Sequence, residues 1–225
     1  MQSIFITRHL VECPIFVEHL QRQGYWVLGE SLIEFTPSPF VLKSKPDWLF
    51  FYSKKGVDYF FSQIQSNLLN NIRFAAIGPA TANAIKQKGF SCVFIGDGNP
   101  SSTAENFLQV AANATVVFPQ AAHSRRSIQE LLQNDIQATS LVVYQNNKRK
   151  NILIPNTEVV VFTSPLNVEA FAANTALDKK YISVAIGKTT ATHLKSQGMH
   201  CDFIAPSPDQ KTLALAVEQA IIQSK

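Results

Sequence analysis

Cysteine, long apolar runs and cofactor-binding glycine patterns are all scarce in this sequence, and each shortage excludes something. Its 225 residues hold three cysteines, Cys13, Cys92 and Cys201, an odd and widely spaced set with no C-x-x-C pair. A disulfide scaffold and a structural zinc site are disfavoured, and a reducing cytoplasm is the expected compartment. No stretch approaches the roughly 18 apolar residues of a membrane span; the apolar runs are short, such as Val159–Phe162. The opening residues lack the basic flank, apolar core and cleavage site of a signal peptide, so none is expected. No G-x-G-x-x-G follows a strand, since Gly96-Asp97-Gly98 runs into Asn99-Pro100 and reads as a turn. A P-loop and a G-x-S-x-G elbow are also missing. The histidines (His9, His19, His123, His193, His200) show no metal-ligand spacing, and the acidic residues form no catalytic pair. Neither a metal nor an organic cofactor is expected.

What is present is ordinary globular material: 46% hydrophobic and 16% charged residues, with nine Gly and eleven Pro. The length suits one large or two small domains. The net charge of +4 favours an anionic partner, and a small polyanion fits as well as nucleic acid. Lys148-Arg149-Lys150, inside Asn146–Asn151, is short and has no interleaved aromatic residue. It reads as a solvated linker, and neither nucleic acid nor a membrane is an expected partner. Arg125-Arg126 opens a helix and either binds carboxylates or forms an exposed first turn.

Strands and helices alternate. Strands are expected at Ile4–Thr7, Trp48–Tyr52, Phe74–Ile77, Cys92–Ile95, Thr115–Phe118 and Ser140–Tyr144. Helices are expected at Ile15–Gln23 (with Val17 and Leu20 on its apolar stripe), Val57–Ile64, Thr81–Lys88, Thr103–Ala112 and Ser127–Gln133. Such alternation predicts an α/β fold with parallel sheets flanked by helices on both faces, and the unbroken apolar runs fit strands buried on two sides.

The chain also repeats itself. Phe51–Phe60 aligns with Phe162–Phe171, and Ala76–Ala82 with Ala185–Ala191. Gly89 pairs with Gly198, Phe94-Ile95 with Phe203-Ile204, and Thr103 with Thr212. Two copies of one α/β unit follow, with a naive boundary near Ala112 and a ligand cleft expected between similar lobes. Two turn types recur, strand–(Tyr/Thr)-Ser-x-x-(Gly/Asn)-Val–helix and strand–Ile-Gly-x-x-Thr-Ala–helix. Each puts a small hydroxyl residue where a strand hands over to a helix. That residue can cap the helix, or the turn can hold an anion on its free N–H groups. Ser53 and Ser164 have no His-plus-acid pattern nearby, so capping is favoured over nucleophilic chemistry. Four such turns together make anion binding more plausible than any one alone.

Taken in order, Phe50–Ser53, Ala76–Ala82, Val142-Val143-Tyr144-Gln145, Phe162–Pro165 and Ala185–Ala191 resemble the uroporphyrinogen-III synthase family. The likeness runs from Thr7-Arg8 to a final helix ending near Ile222. It implies two flavodoxin-like lobes joined by a two-segment hinge. Lobe one would be 1–36 plus 150–225 and lobe two 38–146, with hinge segments near 36–39 and 145–151. It also implies a monomeric, cofactor-free hydro-lyase of tetrapyrrole and heme biosynthesis. That enzyme closes hydroxymethylbilane, a linear polycarboxylate, to uroporphyrinogen III, losing water and inverting ring D. Tyr144 matches the family's strand tyrosine and would be the proton donor. Ser53, Thr81, Ser164, Thr189 and Thr190 would bind substrate carboxylates. Arg125 and Arg8 are further candidates, together with Thr7. Tyr52, Lys188 and the loop Gln120-Ala121-Ala122-His123 depart from the family pattern. The competing reading is a non-catalytic, two-lobed anion-binding or regulatory protein with the same fold.

Overall fold

A computed structural model of the chain describes residues 2–124, 126–175 and 180–224. In chain order its elements begin β1 (Ser3–Ile6), α1 (Pro14–Arg22), β2 (Trp26–Gly29), β3 (Ile33–Pro37), β4 (Trp48–Phe51), α2 (Lys54–Phe61), β5 (Arg73–Ala76), α3 (Pro79–Gln87), β6 (Cys92–Ile95) and α4 (Pro100–Ala111). They continue with β7 (Thr115–Ala121), α5 (Ser127–Leu131), β8 (Gln137–Lys148), β9 (Val159–Phe162), α6 (Pro165–Asn174), β10 (Ile182–Ala185), α7 (Lys188–Ser196), β11 (Phe203–Ile204) and α8 (Gln210–Gln223).

The chain forms two compact units, Met1–Glu34 with Asn147–Lys225, and Phe35–Asn146. Ala112 lies inside the second unit, at the end of α4, so the repeat boundary expected there does not divide the fold. Sequence similarity marks copies of a motif, whereas a unit is defined by which elements share a core.

The first unit holds the sheet β11-β10-β9-β1-β2, with every neighbouring pair parallel. Because strand side chains alternate between faces, each unbroken apolar run feeds two cores. Ile4, Ile6, Val159 and Val161 pack with Phe16 and Leu20 of α1 and Val217 of α8. Phe5, Val160 and Phe162 pack on the opposite face with Phe171 of α6 and Leu194 of α7. The second unit repeats the scheme. Leu49 and Phe51 face α2 and α3, and Trp48 and Phe50 face Phe107 of α4 and Ile128 of α5. Fully burying one such Phe contributes about 1.5–3 kcal/mol.

The second unit's sheet runs β3-β8-β7-β4-β5-β6. The pairs among β4 to β8 are parallel. At its edge, Ser38 N donates to Val143 O at 3.0 Å and Arg149 N donates to Leu32 O at 2.9 Å. One partner's number falls as the other's rises, so β3 lies antiparallel to β8, a departure from the all-parallel expectation.

These two strands also run through part of the segments expected as hinges. Thr36 and Pro37 belong to β3, and Asn146, Asn147 and Lys148 to β8. The basic run is not a solvated tether. Lys148 Nζ pairs with Glu169 at 3.1 Å, and the Arg149 guanidinium donates to Ser31 O at 2.8 Å and pairs with Glu30. Pairing satisfies backbone groups that a linker would leave to water, and Pro37 is tolerated as the last residue of an edge strand.

Several helices begin earlier than periodicity suggested. α3, α4 and α6 each open on a proline, whose missing N–H is one of the unpaired donors of a first turn anyway. α1 opens the same way, and Phe16 rather than Val17 is its fully buried residue beside Leu20. α5 stops at Leu131, two residues short of expectation. Gly89 and Gly198 stand just past α3 and α7 with φ of +88° and +72°. That left-handed conformation closes a helix and is cheapest for glycine, so both copies carry the same terminator.

Candidate functional site

In the second unit the carboxyl edge of the parallel sheet carries two adjacent turns, because β4 and β5 are neighbours. After β4, Ser53 adopts an extended conformation and its Oγ accepts from Gly56 N at 3.1 Å, capping α2. After β5 the cap is Gly78, with no side-chain acceptor. Thr81 is buried within the first turn of α3 and does not cap it. The two turn types therefore differ. The serine turn uses one N–H internally, whereas the glycine turn leaves its first-turn N–H groups without a side-chain acceptor.

Tyr144 lies in β8 beside this edge. A bulge between Gln120 and Ala121 sets Ala121 opposite Tyr144, and Ala122 N donates to Tyr144 O at 3.0 Å. The buried Tyr144 ring stacks on Tyr59 at 5.0 Å and meets Phe35 at 6.0 Å. Tyr59 Oη donates to Phe35 O at 2.9 Å, which fixes the arrangement. Burial is the main cause raising the Tyr144 pKa, the Ser53 hydroxyl beside it opposes the shift, and Tyr59 adds to it. The phenol is therefore a proton donor at neutral pH. Lys55, in the first turn of α2, holds its ammonium 4.0 Å above the Phe35 ring. Ser53, Lys55 and Tyr144 thus gather at one place.

The first unit matches this arrangement. Ser164 caps α6, its Oγ accepting from Asn167 N at 3.2 Å. Next to it, after β10, Gly187 precedes α7 and supplies no side-chain cap. Thr189 is exposed and Thr190 is buried, so Thr190 is the counterpart of Thr81. Thr7 follows β1, is buried, and bonds Thr163 and Val161. Arg8 follows, half-buried, and its carbonyl comes so close to Gly29 that a Cβ there would lie 2.6 Å away. Each nominated residue among those described thus stands at or beside the carboxyl edge of its own sheet.

Arg125 lies outside the described residues. Its neighbour Arg126 has φ +53°, a left-handed conformation uncommon for arginine. Tyr52, the first departure from the family pattern, has a structural role: its Oη accepts from Gln129 N at 3.0 Å in the first turn of α5, and its ring stacks on Phe118. Burial raises its pKa strongly. Lys188 is the exposed first residue of α7.

Sequence reasoning missed Lys55, Tyr59 and Asn167. Lys55 was visible two residues after Ser53, and Asn167 as the repeat partner of Gly56, but Tyr59 carried no signal of its own. The three thiols have raised pKa values, chiefly from burial, with Cys92 pushed up to about 11, so none is a ready nucleophile. Among the described residues no three His, Cys, Asp or Glu side chains converge as metal ligands, and no helix is long and apolar enough to cross a membrane. An apolar groove of about 580 Å³ runs along α1, lined by Leu10, Val11, Pro14 and Val17 among others. It is open and holds none of the nominated residues, and Glu18 and Arg22 of its lining pair with each other, so the turns are the better candidate site.

Residues 15–214 match the family model described as uroporphyrinogen-III synthase HemD. A porphyrin biosynthesis protein HemD of Ruminiclostridium josui is 26% identical over 226 residues; the match covers 88% of this chain and 44% of that protein. The chain therefore spans less than half the length of this curated relative. Among solved structures, uroporphyrinogen-III synthetase from Helicobacter pylori superposes with a TM-score of 0.76 at 23% identity, covering 99% of this chain and all of the other. A mutant uroporphyrinogen III synthase from the extremely thermophilic bacterium Thermus thermophilus gives 0.59 at 15% identity, with 99% and 100% covered. At these identities the superpositions show a shared fold.

Proposed function

Because the chain belongs to the uroporphyrinogen-III synthase family, we propose that it closes hydroxymethylbilane to uroporphyrinogen III, losing one water and inverting ring D. The family match over residues 15–214 carries this reading. The gathering of a protonated phenol with anion-compatible turns supports it.

The reaction needs little functional-group chemistry and much positioning. Tyr144 gives its proton to the terminal hydroxyl, which leaves as water. The resulting azafulvene is attacked by the substituted carbon of ring D, and a spiro intermediate follows. Fragmentation and reclosure complete the inversion, and the proton lost from ring D restores the balance. Uncatalysed closure gives the uninverted isomer I, so holding the chain for attack at the substituted carbon is the enzyme's main task.

Carboxylates of the substrate are held by Ser53 and Lys55 of one turn, by Ser164, and by the first-turn N–H groups at Thr81, Thr189 and Thr190, with Arg8 and Arg125 adding charge. Backbone N–H groups at helix starts attract anions without titrating. In this reading the protein acts as a cytoplasmic monomer on a free small molecule.

The test supplies hydroxymethylbilane with and without protein, then oxidises the products and separates the porphyrin isomers. Protein-dependent isomer III is the expected result. Isomer I alone, at the spontaneous rate, would overturn the catalytic reading in favour of a non-catalytic anion-binding or regulatory protein.

A further inference from the structure

The two units treat equivalent hydroxyls differently. Ser53 and Ser164 occupy the same place in the internal repeat, and three residues later the second unit has Gly56 where the first has Asn167. Asn167 is 3% exposed in the first turn of α6. Leu32 N donates to its Oδ1 at 3.2 Å. A backbone N–H can only donate, so the amide orientation is decided: Oδ1 faces Leu32 and Nδ2 faces the hydroxyls.

The direction of the two Nδ2 bonds then follows. Asn167 Nδ2 donates to Ser164 Oγ at 3.0 Å and to Thr163 Oγ1 at 3.3 Å. Thr163 Oγ1 sends its own proton to Thr7 O at 2.9 Å. Thr7 Oγ1 accepts from Thr163 N at 3.0 Å and lies 3.1 Å from Val161 O and 3.2 Å from Thr163 Oγ1, either of which can take its proton. Ser164 Oγ accepts a second bond from Asn167 N at 3.2 Å. A hydroxyl has two lone pairs and one proton. Both lone pairs of Ser164 are occupied, so only its proton remains to be offered. Ser53, by contrast, accepts from Gly56 N at 3.1 Å, has no amide counterpart to Asn167, and hydrogen-bonds Tyr144 instead.

We infer that Asn167 is a positioning residue that sets specificity: by filling the second lone pair of Ser164 it makes that hydroxyl a donor only, matched to an ionised carboxylate oxygen of the substrate. This rests on the proposed function, which puts substrate carboxylates at Ser164. Ser164 is half-buried, so a ligand can approach this turn. Asn167 belongs to one of the two turns, so the matching Ser53 turn need not share the preference.

The test is a binding cycle with uroporphyrin III, a polycarboxylate porphyrin, followed by fluorescence titration of wild type, S164A, N167D and the double variant. In N167D the new carboxylate still accepts from Leu32 N but has no proton to give, so Ser164 turns its own proton inward. N167D retains the Ser164 cap, whereas S164A loses it, and melting temperatures separate that structural effect. Each single variant is expected to weaken uroporphyrin about tenfold, the scale of one hydrogen bond to a charged group. The double variant should bind no more weakly than N167D alone, because the two changes remove one interaction. In the isomer assay the N167D loss should fall on KM rather than kcat. If the full N167D loss persists in the S164A background, the effect does not pass through Ser164 and the inference is overturned. Wild type that binds uroporphyrin in the expected cycle without forming isomer III would overturn the synthase reading alone. Wild type that does not bind uroporphyrin would overturn this inference whatever the isomer assay shows.

Discussion

The Tyr144 ring stacks on the Tyr59 ring with centroids 5.0 Å apart and planes 18° from parallel. Tyr59 is held in turn by its bond to Phe35 O. The phenol proposed as proton donor is thus oriented by two aromatic neighbours, and its hydroxyl can be removed without removing the packing.

Tyr144→Phe should therefore fold normally and fail at chemistry. Loss of a positioned general acid costs about a hundredfold or more in turnover. Uroporphyrin affinity should change little, since the ring stays in place. Turnover and affinity measured on the same preparation check this; undiminished turnover would remove Tyr144 from the mechanism. Because burial raises its pKa, the acid stays protonated past the ordinary phenol value of about 10, so no alkaline loss of kcat from this group is expected below that pH.

Two glycines should respond oppositely to an added methyl group. Gly187 is extended, with φ 177°, and a Cβ there meets nothing within 4 Å. Gly187→Ala should change stability by less than about 0.5 kcal/mol while weakening uroporphyrin binding, because the methyl obstructs approach to the first-turn N–H groups of α7. At Gly96 a Cβ would lie 2.5 Å from Thr103 and 2.6 Å from Ile77 O. Gly96→Ala should cost about 1–3 kcal/mol through overpacking. Urea unfolding of both variants, with titration of the first, distinguishes crowding from access.

Alkaline pH should destabilise the fold through Tyr181. Burial first, and the Asp202 charge second, push its pKa up to about 12. The unfolded phenol ionises near 10. A group whose folded pKa is raised contributes fully below the unfolded value, and that contribution is lost as pH climbs from about 10 toward 12. Tyr181→Phe should flatten unfolding free energy against pH across that window. An unchanged slope would show that Tyr181 does not contribute to it. Tyr52 shifts the same way, so some slope should persist in the variant.

Much of the fold was legible because its signals are local. Runs such as Trp48–Phe51 and Val159–Phe162 are apolar throughout, and only strands buried on both faces need that. The repeat announced two similar units, and Gly89 and Gly198 end matching helices in the same left-handed conformation. Less legible was anything set by a partner distant in sequence. Asn146–Lys148, part of the segment read as a linker, became strand because β8 found β3, and Arg149 became an anchor because Glu30 and Ser31 face it. Composition reports what a segment can tolerate, not what it meets.

The candidate site divides in the same way. The sequence alone determined which residues could serve: hydroxyls and glycines at strand-to-helix turns, and one tyrosine on a late strand. It determined the alternation that puts those turns on the carboxyl edges of parallel sheets, because a parallel connection requires a crossover. Only the tertiary structure decided how they act. It buried Thr81 and Thr190 in the first turns of their helices, and it stacked Tyr144 on Tyr59. Through Asn167 and Leu32 it also settled which way the Ser164 hydroxyl can bond. The direction of a hydrogen bond depends on what the neighbouring lone pairs and protons already hold, and those neighbours come together only when the chain is folded.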